Sequence, residues 1–320
     1  MYKSTLASEM IESVRDGLDE FNIDSIKEPQ ILKALNRAQR SAVNIIARKY
    51  EDAFLEEIEY TADGETKEVP IPEACFGGRV EMLEYMVGEK PIPMRRITFR
   101  QATNIEAKER VGSGPYVWYQ KRNILRVLNG LSNGQKVRIW FTIEPEKLVE
   151  EQGRITLINT TDNRVTVNSI GDDLTTEADN LNNYVNIVDA QTGDVKCSLQ
   201  ISAISGNKIY FKSSPDRTTV FNRPIDSAID SEVELDDYVC ISRGSCISSI
   251  YEAYVDYLVE KAVVTIKRSI GEDGPTDYSA LNELKVELIN IWSGRENTRR
   301  VSQKSRRWKT RARHYSNRYN

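Results

Sequence analysis

The spacing of apolar residues changes twice along this chain, and that change constrains the fold more than any single residue. Leu6, Met10, Val14, Leu18 and Phe21 recur at steps of four and three between Thr5 and Phe21, the spacing of one helical face. Pro29 opens a longer stripe, Ile31, Leu35, Ala38, Ala42, Ile46 and Tyr50, with Lys33, Arg37, Arg40, Asn44 and Arg48 largely elsewhere. Proline suits a first helical turn because its missing N–H has no partner there. After Ala53 the pattern becomes alternation. Residues 54–60 and 66–71 flank Asp63-Gly64 and predict a hairpin. Residues 79–87, 92–99, 116–119, 124–127 and 137–142 continue in the same manner, a sheet of about six strands with 116–127 as another hairpin. The stretch from Arg100 to Arg110 is helix-compatible and ends at Gly112-Ser113-Gly114-Pro115.

Residues 153–243 differ in kind. They are rich in Thr, Asn, Asp and Gly, with short strands predicted at 155–158, 165–167, 184–187, 199–204 and 208–211, the texture of a small barrel or sandwich. The segment from Pro215 to Ser231 has weak periodicity and reads as a long loop. Helix returns with Ile250, Tyr254, Leu258, Ala262 and Ile266, breaks at Gly271 to Pro275, and resumes with Leu281, Leu284, Leu288 and Ile291. Helices thus bracket β material in a chain of 320 residues, long enough for about two domains. The expected class is α+β: a helical-bundle core with an inserted antiparallel sheet, a second inserted small β-barrel or sandwich domain, and a basic C-terminal tail. In residue terms the core is 1–150, the inserted β domain 151–243, the helices completing the core 244–294, and the tail 295–320.

Composition narrows the chemistry. No run approaches the ~18 apolar residues of a membrane span, so no membrane partner is expected. The first twenty residues lack an apolar h-region and turn acidic, which predicts synthesis in a reducing cytoplasm. Cys75, Cys197, Cys240 and Cys246 include no C-x-x-C pair and read as buried thiols, with neither metal nor cofactor. The single histidine, His314, lies in the last seven residues, so no histidine base serves Ser242 or Ser245. The run Gly130 to Lys136 lacks phosphate-loop spacing and reads as a hairpin turn. The acidic runs Glu56-Glu57-Glu59, Asp172-Asp173 and Asp236-Asp237 alternate across strand faces and read as solvated edges. Tyr116, Trp118, Tyr119 and Trp140 read as sheet packing, and Tyr251, Tyr254 and Tyr257 as helix packing. The expectation is a protein that is not an enzyme.

Charge is segregated. Residues 295–320 hold ten Lys and Arg against one acid, net +9, leaving 34 basic and 47 acidic residues, net −13, in 1–294. Partner binding is therefore expected at Arg295, Arg299, Arg300, Lys304, Arg306, Arg307, Trp308, Lys309, Arg311 and Arg313. Arginines interleaved with Trp308, Tyr315 and Tyr319 suit either phosphates with stacked bases or an acidic protein surface.

The second helix, PQILKALNRAQRSAVNIIARKY (29–50), resembles the helix of head-to-tail connector (adaptor) proteins of tailed bacteriophages, where an ALNRAQR-like run begins a long helix. The order of the later segments is similar too: EVPIPEACFGGRVEMLEYMVGEKPIPMRRITF, PYVWYQKRNILRVL, VRIWFTIEPEKLV, then YEAYVDYLVEKAVVTIKRSIGE. The resemblance covers roughly 1–150 and 244–294; the block at 153–243 departs from the simplest adaptors. It implies a virion protein of the neck, made in the host cytoplasm and assembled as a twelve-membered homo-oligomeric ring under the portal protein. Such a ring contacts further neck or tail ring proteins and lets double-stranded DNA pass without sequence specificity. The competing reading is a nucleic-acid-binding packaging or regulatory protein that uses the basic tail.

Overall fold

The computed structural model describes residues 5–18, 26–50, 53–107, 117–177, 180–217, 219–220, 223–242, 244–248 and 254–298. Two helices come first. α1 (Ala7–Asp16) buries Ala7, Met10, Ile11 and Val14. α2 (Glu28–Lys49) buries Ile31, Leu35, Ala38, Ala42 and Ile46 along one face. Its first turn holds Glu28 and its last Arg48 and Lys49, each opposite in sign to the partial charge of the helix end it occupies.

Residues 50–144 form one of two compact units. The elements are β1 (Leu55–Thr61), β2 (Thr66–Pro70), β3 (Cys75–Val87), β4 (Lys90–Pro93), β5 (Arg95–Arg96), α3 (Phe99–Ala107), β6 (Val117–Lys121), β7 (Ile124–Leu131) and β8 (Lys136–Ile143). They build two four-stranded sheets, ordered β1-β8-β3-β4 and β2-β7-β6-β5. Alternation sends Val80, Leu83, Ile139 and Phe141 of one sheet against Val69, Trp118, Leu125 and Val127 of the other, forming a sandwich core. The buried Trp118 indole N–H donates to Met94 O at 3.3 Å, so the large ring brings no bare donor inside. On the outer face of the second sheet, Ala102 of α3 packs with Tyr119 and Leu128. The expected hairpin at 116–127 forms, with Trp118 opposite Val127.

Two local expectations fail for one reason. β1 pairs with β8 and β2 with β7, so 54–71 is no hairpin, and Gly130 to Lys136 likewise joins strands of different sheets. Both turns cross the sandwich because Tyr60 and Val69, on either side of Asp63-Gly64, bury their side chains in the common core from opposite sheets. An isolated two-stranded ribbon offers no such burial. The two crossings lie side by side: Gly134 N–H donates to Ala62 O at 2.8 Å and Ala62 N–H to Gln135 O at 2.9 Å.

The other unit comprises 1–49 and 145–320. After α1 and α2 it holds β9 (Lys147–Leu148), β10 (Gly153–Asn159), β11 (Arg164–Val167), β12 (Tyr184–Val188), β13 (Val195–Ser205), β14 (Lys208–Phe211), β15 (Thr219–Val220), β16 (Arg223–Pro224), β17 (Tyr238–Ile241), β18 (Gly244–Ser245), α4 (Val255–Ile270) and α5 (Pro275–Thr298). Six strands close a barrel in the order β10-β11-β14-β13-β12-β17. Successive hairpins join β12, β13 and β14, and β17 returns to lie beside β12, a Greek-key connection. Ile155, Val165, Ile187, Leu199, Ile201, Ile209 and Val239 fill the interior. Within this unit α4 packs on α1, α2 and α5, and Ser41 and Tyr257 share a 3.4 Å hydroxyl contact between α2 and α4.

The expected helical-bundle core is overturned: the described residues are 38% strand and 29% helix, with several multi-strand sheets. The terminal helical stripes dominate a reading by periodicity because they are long. Yet the sandwich and barrel cores are built mainly from strand residues, since short strands with alternate residues inward bury apolar area on every second residue. The long loop expected at 215–231 carries the small β15-β16 ribbon.

Two glycines separate close packing from turn geometry. A Cβ on Gly244 would meet Lys147 O and Val149 Cγ1, whereas Gly206, at φ +55° in the β13–β14 turn, has open space around it. Gly244→Ala is expected to lower stability by about 3 kcal/mol through backbone displacement. Gly206→Ala should cost about 1 kcal/mol through its left-handed φ alone. Urea midpoints of the two variants check the ranking.

Candidate partner-docking site

The chain enters the barrel through β9 and leaves through β18, and these two short segments run parallel, Lys147 opposite Gly244 and Leu148 opposite Ser245. Amide side chains of α2 hold them. Asn36 donates from Nδ2 to Leu148 O at 3.0 Å and accepts Leu148 N–H on Oδ1 at 2.8 Å, taking the place of a neighbouring strand. The buried Gln39 donates to Glu146 O at 2.5 Å and accepts the Ser248 hydroxyl at 2.8 Å. A side-chain amide carries both the donor and the acceptor that a backbone segment needs. Ala7 N–H, at the start of α1, donates to Cys246 O at 2.7 Å. Asn36 and Gln39 both lie in the ALNRAQR run, where periodicity and charge single out only the apolar and basic residues. No local signal marks the amides, because their partners lie 107 and 112 residues further along the chain.

Inside the barrel wall a cation is shared by two carboxylates: Lys196 Nζ lies 2.9 Å from Asp189 and 3.0 Å from Asp237. Asp237 also accepts the Ala190 N–H at 3.2 Å and the Glu234 N–H at 2.7 Å. Asp237 is therefore buried, which corrects its reading as a solvated edge; its neighbour Asp236 is exposed and pairs with Arg154 at 3.2 Å. Burial pushes the Asp189 carboxyl up, but the Thr192 N–H, the Lys196 ammonium and the Gln191 N–H outweigh it and hold the group below its ordinary range. For Lys196, burial acts downward, and the hydrogen bonds it donates to Asp189 and Asp237 overcome it and raise the group. Upstream of Asp237, Ile229 and Val233 anchor a loop in the barrel core. Between and beyond these anchors Asp230, Glu232, Glu234 and Asp236 face solvent with Leu235.

The outer face of the first sandwich sheet carries a second charged group. Arg138 on β8 reaches Glu59 at 3.1 Å, Glu57 at 3.7 Å and Glu84 at 3.9 Å. Glu84 is buried, and its carboxylate also accepts the Trp140 indole N–H at 3.0 Å. Trp140 is thus half-buried on this outer face, whereas Trp118 packs inside the sandwich and Tyr119 is buried on the other side of its sheet, against Ala102 of α3.

Of the expected partner-binding residues, Arg295 falls in α5. Arg299, Arg300, Lys304, Arg306, Arg307, Trp308, Lys309, Arg311 and Arg313 lie outside the described residues, as does Tyr251. Tyr254 and Tyr257 are buried in packing. The Ser242 hydroxyl donates to Leu181 O and that of Ser245 to Gly193 O, each at 3.4 Å. Burial raises the Cys75 thiol to about 11, with Glu81 and Glu144 adding to it, and the Cys197 thiol to about 12. A hydrogen bond with Cys240, then burial, raises Cys246. Among the described residues no group of three or more His, Cys, Asp and Glu could hold a metal, and no helix is long and apolar enough to cross a membrane. The exposed charge described on these β frames is mainly acidic: Asp230, Glu232, Glu234 and Asp236 beside the barrel, and Glu57 and Glu59 on the sandwich sheet. The chain matches no protein-family model and no curated protein sequence.

The buried groups set two measurable properties. The contribution of Asp189 is complete above its unfolded pKa of about 3.9 and is lost as pH falls through the lower folded value; that of Lys196 is complete below about 10.4 and is lost as pH rises through the higher folded value. In a stability-against-pH curve, Lys196→Met is expected to remove the alkaline limb that Lys196 contributes, to shrink the acid limb of Asp189, which keeps its Thr192 and Gln191 N–H bonds, and to cost about 3 kcal/mol at pH 7 by stranding Asp237. Iodoacetamide at neutral pH should leave all four buried thiols unlabelled until urea unfolds the chain, as mass spectrometry of the alkylated protein would show.

Proposed function

We propose that this chain is a virion structural protein, a head-to-tail connector subunit that forms a ring below the portal, extends the DNA channel and docks the tail. The observation that carries the reading is the charge split, net −13 over residues 1–294 against +9 over 295–320. An acidic body repels the phosphate backbone, so a channel bordered by it lets duplex DNA slide without sequence-specific hold. A terminal cluster of arginines supplies the opposite requirement, a handle for an acidic neighbour that steers docking and fixes register. The α2 clamp adds support: Asn36 and Gln39, within the run that resembles the adaptor helix, tie both ends of the barrel to one helix. Subunits stacked between portal and tail need such a frame, because docking at one end must not loosen the other.

Negative-stain imaging of the full chain mixed with its cognate portal tests the reading. Rings stacked coaxially on the portal are expected, and their loss is expected when Arg299, Arg300, Arg306, Arg307, Arg311 and Arg313 are changed to Gln. An intact portal that gains no ring, together with tight binding to random duplex that weakens steeply with salt, would transfer the reading to a nucleic-acid-binding packaging or regulatory protein.

A further inference from the structure

We infer that residues 307–313 of one copy add as a strand to the open edge of β1 in a second copy. β1 ends its sheet: it pairs with β8 along seven residues, and among the described residues no strand lies on its other side. Such an edge presents a row of backbone N–H and C=O groups to an added strand. Glu56, Glu57, Ile58 and Glu59 are exposed in succession. Ile58 stands opposite Ile139, a member of the sandwich core, yet is itself 47% exposed, so the apolar interior is uncovered at this edge. On the opposite face Glu57 and Glu59 share Arg138 with Glu84, and Lys136 reaches Glu59 only at 3.8 Å. Three carboxylates against two cations leave the face negative. Pairing of β1 with another β1 would set acids against acids, so the occupant must be basic on one side and apolar or neutral on the other.

The segment Arg307-Trp308-Lys309-Thr310-Arg311-Ala312-Arg313 has that pattern. Every odd position is basic, and the even ones are Trp, Thr and Ala. In an extended strand this alternation puts four cations on one face and Trp308, Thr310 and Ala312 on the other. Laid along β1, the cationic face meets Glu57 and Glu59, and the Trp308 face covers Ile58. Its seven residues equal the length of β1. A donor segment at the chain end and an acceptor edge elsewhere make a head-to-tail contact, the kind that closes rings. The inference rests on the connector reading for the presence of neighbouring copies.

The test uses the full chain with a photoreactive benzoylphenylalanine at position 58, an exposed site, in a mixture of ¹⁴N- and ¹⁵N-labelled protein. Illumination should link position 58 to a peptide containing Trp308, with the isotope pattern of two different copies. Glu57→Lys with Glu59→Lys should reduce the link at least about fivefold, and reversing Arg307, Lys309, Arg311 and Arg313 to Glu in the same chain should restore it. Amide exchange in the unmodified protein supplies a readout free of folding defects: slow exchange over 307–313 at assembling concentration is expected. Fast exchange there, a link confined to one chain, or a link from position 58 to a second β1 each overturns the inference. Rings on the portal without the 58–308 link overturn this contact alone; the link without any ring overturns the connector reading and leaves the contact standing.

Discussion

Two amide side chains hold together the part of the molecule where the backbone is least able to satisfy itself. β9 and β18 are two residues each, pair only with each other as a minimal parallel ribbon, and carry the chain into and out of a closed barrel. Asn36 and Gln39 supply hydrogen bonds to the peptide groups of Leu148 and Glu146, and a buried peptide group left without a partner costs about 1–3 kcal/mol. Because both amides project from α2, the same helix that packs on α4 also sets where the barrel begins and ends. Gly244 belongs to this arrangement, since the two segments approach too closely for a side chain there.

The two β parts treat their edges in opposite ways. The barrel pairs every strand around its circumference and so abolishes edges. In the sandwich β1 has no second partner among the described residues and is lined with glutamates, which discourages pairing with a like strand while leaving room for a basic one. The reading as a connector and the inferred strand exchange draw on the same property, positive charge held at one end of the chain and negative charge spread over its body. In the proposed ring that separation would serve both neighbours: acidic walls for DNA to pass and a basic segment to grip the adjoining protein.

How much of this was legible depends on the range of each interaction. Helical stripes such as Ile31 to Ile46 and hairpins such as 116–127 come from neighbours within a few residues, and periodicity reveals them. The expected bundle failed because periodicity weighs length, while the apolar cores are built from short strands whose partners lie far along the chain. For the site, the charged tail was plain from composition. The clamp amides were visible as letters but not as partners of a backbone 107 and 112 residues further along, since nothing local distinguishes a solvated Asn from one that caps a strand.

Sequence alone determined which helical faces are apolar, where helix gives way to strand, and that the positive charge is concentrated in residues 295–320, because side-chain period and net charge are properties of consecutive residues. Tertiary structure alone decided that β1 and β2, joined by a short turn, belong to opposed sheets. It also decided that Asp237 pairs with Lys196 in the barrel wall while Asp236, its neighbour, stays in solvent. Strand partnership and burial are settled by which distant surfaces can exclude water together, and no window of adjacent residues contains that information.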